Sequence, residues 1–160
     1  MTNAAEGVLP LSIYAVLKGE HKEVSLFFAA LEASPAPIEA AKRSLFGKLR
    51  KELLSHARAE EATVYDPLQA KISDTAMLDE ARAEHEEMED MLETLHALDV
   101  ADDTWMEKLR ELKEAVDHHV EEEESETFKT MEKLFSEDEA KALANAFHEA
   151  KKKEQEAIDS

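Results

Sequence analysis

Two ten-residue segments of this chain share one pattern: His56-Ala-Arg-Ala-Glu60-Glu61-Ala-Thr-Val-Tyr65 and His119-Val-Glu-Glu-Glu123-Glu124-Ser-Glu-Thr-Phe128. Each sets a histidine, a glutamate pair and an aromatic residue in the same register. The match extends upstream, where Phe46, Leu49 and Leu53 precede the first histidine by the same intervals at which Leu109, Leu112 and Val116 precede the second. On a helix these apolar positions form one stripe, so the histidine and the glutamate one turn later continue an inward-facing seam. Neutral imidazole and carboxylate suit iron, manganese or zinc, and a carboxylate can bridge two cations. Ionised groups in an apolar interior are costly alone, and bound cations supply the compensating charge, which links metal binding to folding.

Two further histidines, His21 and His85, fall where helical hairpins would bring all four to one level. In an antiparallel pair, residues lie level when the turn sits near their sequence midpoint, because each helix advances equally per residue. The midpoint of His21 and His56 lies beside Pro35-Ala-Pro37, that of His56 and His85 next to Ser73-Asp74, and that of His85 and His119 within Asp99-Val-Ala-Asp102-Asp103. These turn signals rest on Pro, Ser and Asp alone. Four histidines with Glu60 and Glu123 therefore make a natural two-metal core.

The elements that must position them are helices. Apolar spacing predicts helices over about Pro10–Glu32, Ile38–Ala70, Asp74–Leu98 and Thr104–Phe135, with Pro67 bending or ending the last turn of the second. Capping boxes are expected at Thr104-x-x-Glu107 and Ser136-x-x-Glu139, the second opening a fifth helix from Ser136 to about Ala157. The expected fold is all-α: an up-down-up-down four-helix bundle over about residues 10–135 with an additional C-terminal helix packed across it as an appendage. With 160 residues, the chain reads as a single domain over residues 1–160.

Composition agrees and excludes. There are only 3 Gly and 4 Pro, and no Cys, which removes disulfides, thiolate metal sites and cysteine nucleophiles together. A net charge of -19 opposes nucleic acid and anionic membranes as partners. The first residues lack the pattern of a signal peptide, no apolar run approaches a membrane span, and a soluble, cytoplasmic protein is the default expectation.

A single His-x-x-x-Glu would carry little, because His85 with Glu89 and His118 with Glu122 satisfy it too, and most such pairs are exposed helix pairs. The conjunction of repeat, apolar register and turn midpoints carries the metal reading against buried, hydrogen-bonded histidines. His118 is rotated off the seam, and His96 and His148 lie outside the common level as surface or packing residues. Met88 and Met91 read as core packing, with a ligand pocket beside His85 as the alternative. Trp105 and Tyr14 read as core, and Tyr65 and Phe128 as closing the bundle beyond the metals. The Lys151-Lys152-Lys153 run reads as a solvated helix end matched to the helix dipole.

The segments Gly19-Glu-His21-Lys22, His56-Ala-Arg-Ala-Glu60-Glu61 with Tyr65 and Pro67, Glu84-His85-Glu-Glu-Met88, and His119-x-x-x-Glu123-Glu124 resemble the hemerythrin-like HHE cation-binding domain family over about residues 10–135. The resemblance implies a four-helix bundle holding two non-heme irons, oxo- or hydroxo-bridged, with manganese or zinc as substitutes. It implies His21 and His56 on one iron, His85 and His119 on the other, and Glu60 and Glu123 bridging. Respiratory hemerythrins carry a second histidine one turn after the third-helix ligand; here that position is Glu89, expected to coordinate or to hydrogen-bond a terminal water. That departure does not favour reversible oxygen carriage by the family's usual route.

The leading expectation is a module that binds or senses dioxygen, peroxide or nitric oxide in iron or oxidative-stress physiology, where a sensing role needs a protein partner or a conformational change for output. The first alternative is a di-iron enzyme that decomposes peroxide or acts as a ferroxidase. The second is a metal-free helical interaction protein whose polar seam sets register. Ferritin-like storage fits less well, since only Glu93-x-x-His96 offers the i, i+3 pair that such sites use twice.

Overall fold

A computed structural model describes residues 11–33 and 38–158. The helices are α1 (Ile13–Ala33), α2 (Glu39–Glu60), α3 (Asp66–Gln69), α4 (Ala76–Ala97), α5 (Trp105–Glu122), α6 (Phe128–Leu134) and α7 (Glu137–Ala157), with no strand among the described residues. Wide π-turns, Glu61–Tyr65 and Glu123–Thr127, join α2 to α3 and α5 to α6, so these are two continuous but interrupted rods. Four rods close a ring in which α1 touches α2, α2 touches α4, α4 touches α5 and α5 returns to α1, while α7 lies along α1 and α2. This is the all-α bundle with an extra C-terminal helix that the apolar spacing predicts.

The helix ends follow local chemistry. Ser136 closes the expected capping box, accepting from the Glu139 amide while the Glu139 carboxylate accepts from the Ser136 amide. The box expected at Thr104 does not form. Asp102 captures the Thr104 amide and hydroxyl at 2.8 and 2.7 Å, so the hydroxyl is spent on the loop and not on the helix. Asp74 likewise accepts from the Ala76 amide at the start of α4. The Pro35–Pro37 turn and the Pro10 start of the first helix lie outside the described residues.

The two π-turns explain how the stripe survives past each His-x-x-x-Glu. The amides of Asp66 and Phe128 donate five residues back, to the carbonyls of Glu61 and Glu123. Each wide turn absorbs one extra residue, so Tyr65 and Leu68 continue the face of His56 and Glu60, and Phe128 and Met131 that of His119 and Glu123. Pro67 falls in the first turn after the interruption, where a missing amide costs least, and the helix ends at Gln69.

Burial divides the interior into two apolar layers. One gathers Ile13, Leu17, Val64, Leu68, Leu78, Phe128, Met131 and Phe147; the other gathers Val24, Phe28, Leu49, Leu53, Leu92, Trp105, Leu112 and Val116. Along every rod the chemistry-bearing residues fall between the two: His21 between Leu17 and Val24, His56 between Leu53 and Ala59, His85 between Ala81 and Met88, and His119 after Val116. A polar slab thus sits in the middle of an otherwise apolar bundle, sealed above and below.

Candidate metal centre

Six of the seven residues singled out by spacing converge in this slab. His21, His56, Glu60, His85, His119 and Glu123 are all buried, and Glu60 is wholly inaccessible. Their donor atoms form two groups that share a residue: His21, His56, Glu60 and Glu123 in one, and Glu60, His85 and His119 in the other. His85 Nε2 lies 3.2 Å from Glu60 Oε1, His21 Nε2 lies 3.2 Å from Glu123 Oε1, and the Nε2 atoms of His85 and His119 are 3.1 Å apart. Glu60 and Glu123 stand where a carboxylate could reach both halves.

The outer ring nitrogens are held by a second set of carboxylates. Nδ1 of His21 pairs with Glu124 at 2.7 Å, that of His56 with Glu20 at 2.8 Å, that of His85 with Glu61 at 2.8 Å, and that of His119 with Glu84 at 2.7 Å. A carboxylate on Nδ1 keeps the proton there and turns Nε2 inward as a free donor, the arrangement that orients metal-binding imidazoles. The pattern follows the repeat. Glu20 and Glu84, each preceding a histidine, serve His56 and His119, whereas Glu61 and Glu124, each following an inner glutamate, serve His85 and His21. The doublets Glu-His and Glu-Glu were visible in the sequence as the sign of this outer shell.

Four of the inner donor atoms face one another without a formed hydrogen bond. Both oxygens of Glu60, Oε1 of Glu123 and Nε2 of His21 are buried without a hydrogen bond. Polar atoms deep in a fold are normally satisfied, and four orphans aimed at one another call for something between them. Cations fit: the donors are nitrogen and oxygen only, with both carboxylates already facing imidazoles.

The electrostatics point the same way. Burial opposes protonation of His56, but the charge of Glu60 and the bond to Glu20 outweigh it and raise its pKa to about 10. Burial likewise opposes protonation of His85, and its contacts with Glu60 and Glu61 raise it to about 9. Desolvation disfavours the Glu60 carboxylate, yet the charges of His56 and His85 hold it well below the ordinary range. Without metal, the slab therefore holds imidazolium–carboxylate pairs, and a cation would exchange for those protons.

Glu89 does not join the group. Its carboxylate turns outward to Arg58, 3.2 Å away, and both side chains are substantially exposed. The i+4 step from His85 puts Glu89 on the right helix face, but a guanidinium across the α2–α4 interface offers a solvated partner that costs less than a place beside Glu60. His118 is exposed beside Glu84 and Glu122, and His96 and His148 are exposed too, as their spacing predicts.

Besides the four outer glutamates, to which the sequence reading assigns no role, two participants were not anticipated. Tyr65 does seal the apolar layer, but its hydroxyl also donates to Glu123 Oε2 at 2.5 Å and its ring stacks on His85 with centroids 5.3 Å apart. Burial and the charges of Glu123 and Glu60 push the phenol well above its usual range, so it remains a hydrogen-bond donor. Its counterpart in the second repeat, Phe128, has no hydroxyl. Lys151 is not a solvated end of the lysine run: its Nζ reaches Glu20 at 2.7 Å and Glu52 at 2.5 Å, with a side chain 13% exposed. Four residues earlier on the same helix, Phe147 is fully buried and edge-on to His56 at 5.6 Å. The C-terminal helix is thus part of the site's wall and not an appendage.

A cavity of about 30 Å³ adjoins the slab. The four histidines line one side, and Val24, Leu53, Leu54, Met88, Leu92 and Val116 line much of the rest. Met88 serves both as packing and as pocket wall.

Comparison with known proteins agrees with this geometry. Residues 12–131 match the hemerythrin HHE cation binding domain. The chain is 28% identical over 148 residues to a DNA nickase of Nostoc sp., covering 92% of this chain and 41% of that protein. It is 29% identical over 103 residues to an uncharacterized hemerythrin-like protein of Schizosaccharomyces pombe, covering 63% of this chain and 51% of the relative. The chain therefore spans about half or less of the length of these relatives. No solved structure gives a significant match. The matched span takes in all four histidine-bearing rods and both glutamate pairs, and the chain belongs to the hemerythrin HHE cation-binding domain family.

Proposed function

We propose that this protein holds two iron ions and uses them to bind or sense a small ligand: dioxygen, peroxide or nitric oxide. His21, His56, Glu60 and Glu123 would hold one ion and His85, His119 and Glu60 the other, with manganese or zinc accepted by the same donors. When bound, the ions supply the ligand binding and the redox chemistry, and the protein sets access and polarity. The observation that carries the reading is the cavity against the four imidazoles. A space of about 30 Å³ suits a water-sized or diatomic molecule, and its lining sets aliphatic side chains against the four imidazoles and Glu89. Tyr65 faces the same slab with a proton to donate.

An enzymatic role is the second reading, favoured by the smaller donor group around His85 and His119, which leaves room for an exogenous ligand. Anaerobic reduction followed by peroxide addition separates the two. One stoichiometric oxidation per site supports the binder or sensor, and many turnovers per site support a peroxide-decomposing or ferroxidase-like enzyme. Replacing His56 and His119 by Leu tests the metal-free alternative. A structural seam tolerates or gains from the change, whereas a metal site loses its ions.

DNA is not among the proposed partners, despite the activity named for the Nostoc relative. A chain with 38 acidic against 19 basic residues repels phosphate, and it covers 41% of that protein. None of the described helices is long and apolar enough to cross a membrane. A cysteine-free chain suits the reducing cytoplasm, which is the compartment proposed.

A further inference from the structure

The two halves of the centre are built alike from repeated sequence, yet α7, packed on α1, α2 and the Glu61–Tyr65 turn, brings a lysine to the outer carboxylate of His56. On the side of His56, Glu20 accepts from His56 Nδ1 through one oxygen and from Lys151 Nζ through the other. At the matching place in the second half, Glu84 accepts from His119 Nδ1, and its other oxygen has, among the described residues, the exposed His118 ring 3.6 Å away. Phe147 closes over His56, and no residue of α7 faces His119 in this way among the described contacts. The matched family span ends at residue 131, before α7 begins at Glu137, so this clamp is an addition to the repeated core.

We infer that Lys151 is a positioning residue that makes the two cation sites unequal, by fixing Glu20 and through it the orientation of His56. The inference rests on the two-cation reading of the site. Glu20 alone would be a carboxylate on α1 with several rotamers. Anchored by a lysine that is itself held by Glu52 at 2.5 Å, it presents one oxygen to His56 and keeps Nε2 aimed inward. Phe147 blocks the imidazole from swinging toward α7. The ion held by His21, His56, Glu60 and Glu123 is thereby the retained one, and the ion at His85 and His119 is the one that exchanges: of its outer carboxylates, Glu84 is backed by an exposed ring and Glu61 by Arg82 at 3.5 Å, a more exposed cation shared with Asp66 and Gln69. Outer-shell partners of metal-binding histidines typically govern affinity by about 10–100-fold, which sets the size of the effect.

The experiment loads the full chain anaerobically with two equivalents of Fe(II) and follows release into excess chelator. Wild type should release in two phases. Lys151→Met should accelerate the slow phase about 10–100-fold and leave the fast phase alone, while Lys151→Arg should restore it and Lys152→Met, on the exposed neighbour, should change neither. Glu84→Gln should accelerate the fast phase only. Glu52→Gln distinguishes positioning from simple anchoring of α7: it should lower the thermal midpoint of the metal-free protein without matching the release seen for Lys151→Met. Equal acceleration of both phases by Lys151→Met, no acceleration at all, or an equal effect from Glu52→Gln would overturn the inference while leaving the metal site intact. A wild-type chain that takes up no iron would instead overturn the metal reading, and this inference with it.

Discussion

At the scale of single residues, the decisive distinction is between carboxylates that face the slab and those that ring it. Glu60 is inaccessible and faces the rings of His56 and His85, whereas Glu89, brought in by the family resemblance at the position one turn after His85, lies in an exposed pair with Arg58. Glu60→Gln should therefore cost the protein at least one of its two ions. Glu89→Gln should leave the metal content unchanged and shift stability by less than about 1 kcal/mol, as for other exposed ion pairs; metal analysis and urea denaturation of the two variants check this. Helical periodicity could assign Glu89 to a face but could not see Arg58 across the interface. The same blindness hid Lys151 and the Tyr65 hydroxyl, whose roles depend on neighbours from other helices, while Glu20, Glu61, Glu84 and Glu124 were written in the repeated doublets.

The raised imidazoles also fix a pH dependence for the metal-free protein. His56 and His85 titrate at about 10 and about 9 in the folded chain and near the ordinary histidine value of about 6.5 when unfolded. Between those values the native state binds more protons, so their stabilisation is fully present below pH ~6.5 and is lost as pH rises through ~9–10. Glu60, held low, contributes in the opposite sense: its stabilisation is present above its ordinary value of ~4.5 and is lost on acidification. Metal needs the imidazoles deprotonated, so the gain in melting temperature on metal loading should grow from pH 6 to pH 9. A gain that shrinks over that range would contradict the assignment of these rings as ligands.

At the scale of elements, the π-turns reconcile a four-residue motif with a continuous core. In each copy the aromatic follows the inner glutamate by five positions, Glu60 to Tyr65 and Glu123 to Phe128. An uninterrupted α-helix would have placed those aromatics off the stripe. The helices themselves were legible from apolar spacing, but the wide turns were not, because single-sequence periodicity assumes one pitch throughout. Inserting one alanine after exposed Ala62 adds a residue beyond the one the wide turn absorbs, and should swing Val64, Tyr65 and Leu68 out of the core. Fully burying each such side chain is worth about 1.5–3 kcal/mol, so thermal melting should show a loss of several kcal/mol or no cooperative transition. A variant that melts like the parent would show that the register past the wide turn carries no structural duty. The C-terminal helix was legible as a capped helix but not as a wall, since its contacts join residues about 100 positions apart.

For the whole molecule, a polar slab between two apolar layers makes folding and metal binding one problem. Without metal the buried imidazoles and carboxylates depend on one another's charge, and bound cations would replace those proton-held pairs by a cross-link among all four rods. The family match and the geometry converge on a cation-binding bundle, and the number and identity of the ions form the central claim. The most direct measurement is metal analysis of aerobically purified protein together with its optical spectrum. Two irons per chain with near-ultraviolet absorption from a bridged ferric pair is the predicted result. A folded, helical protein that holds no metal even after anaerobic exposure to Fe(II) would contradict it.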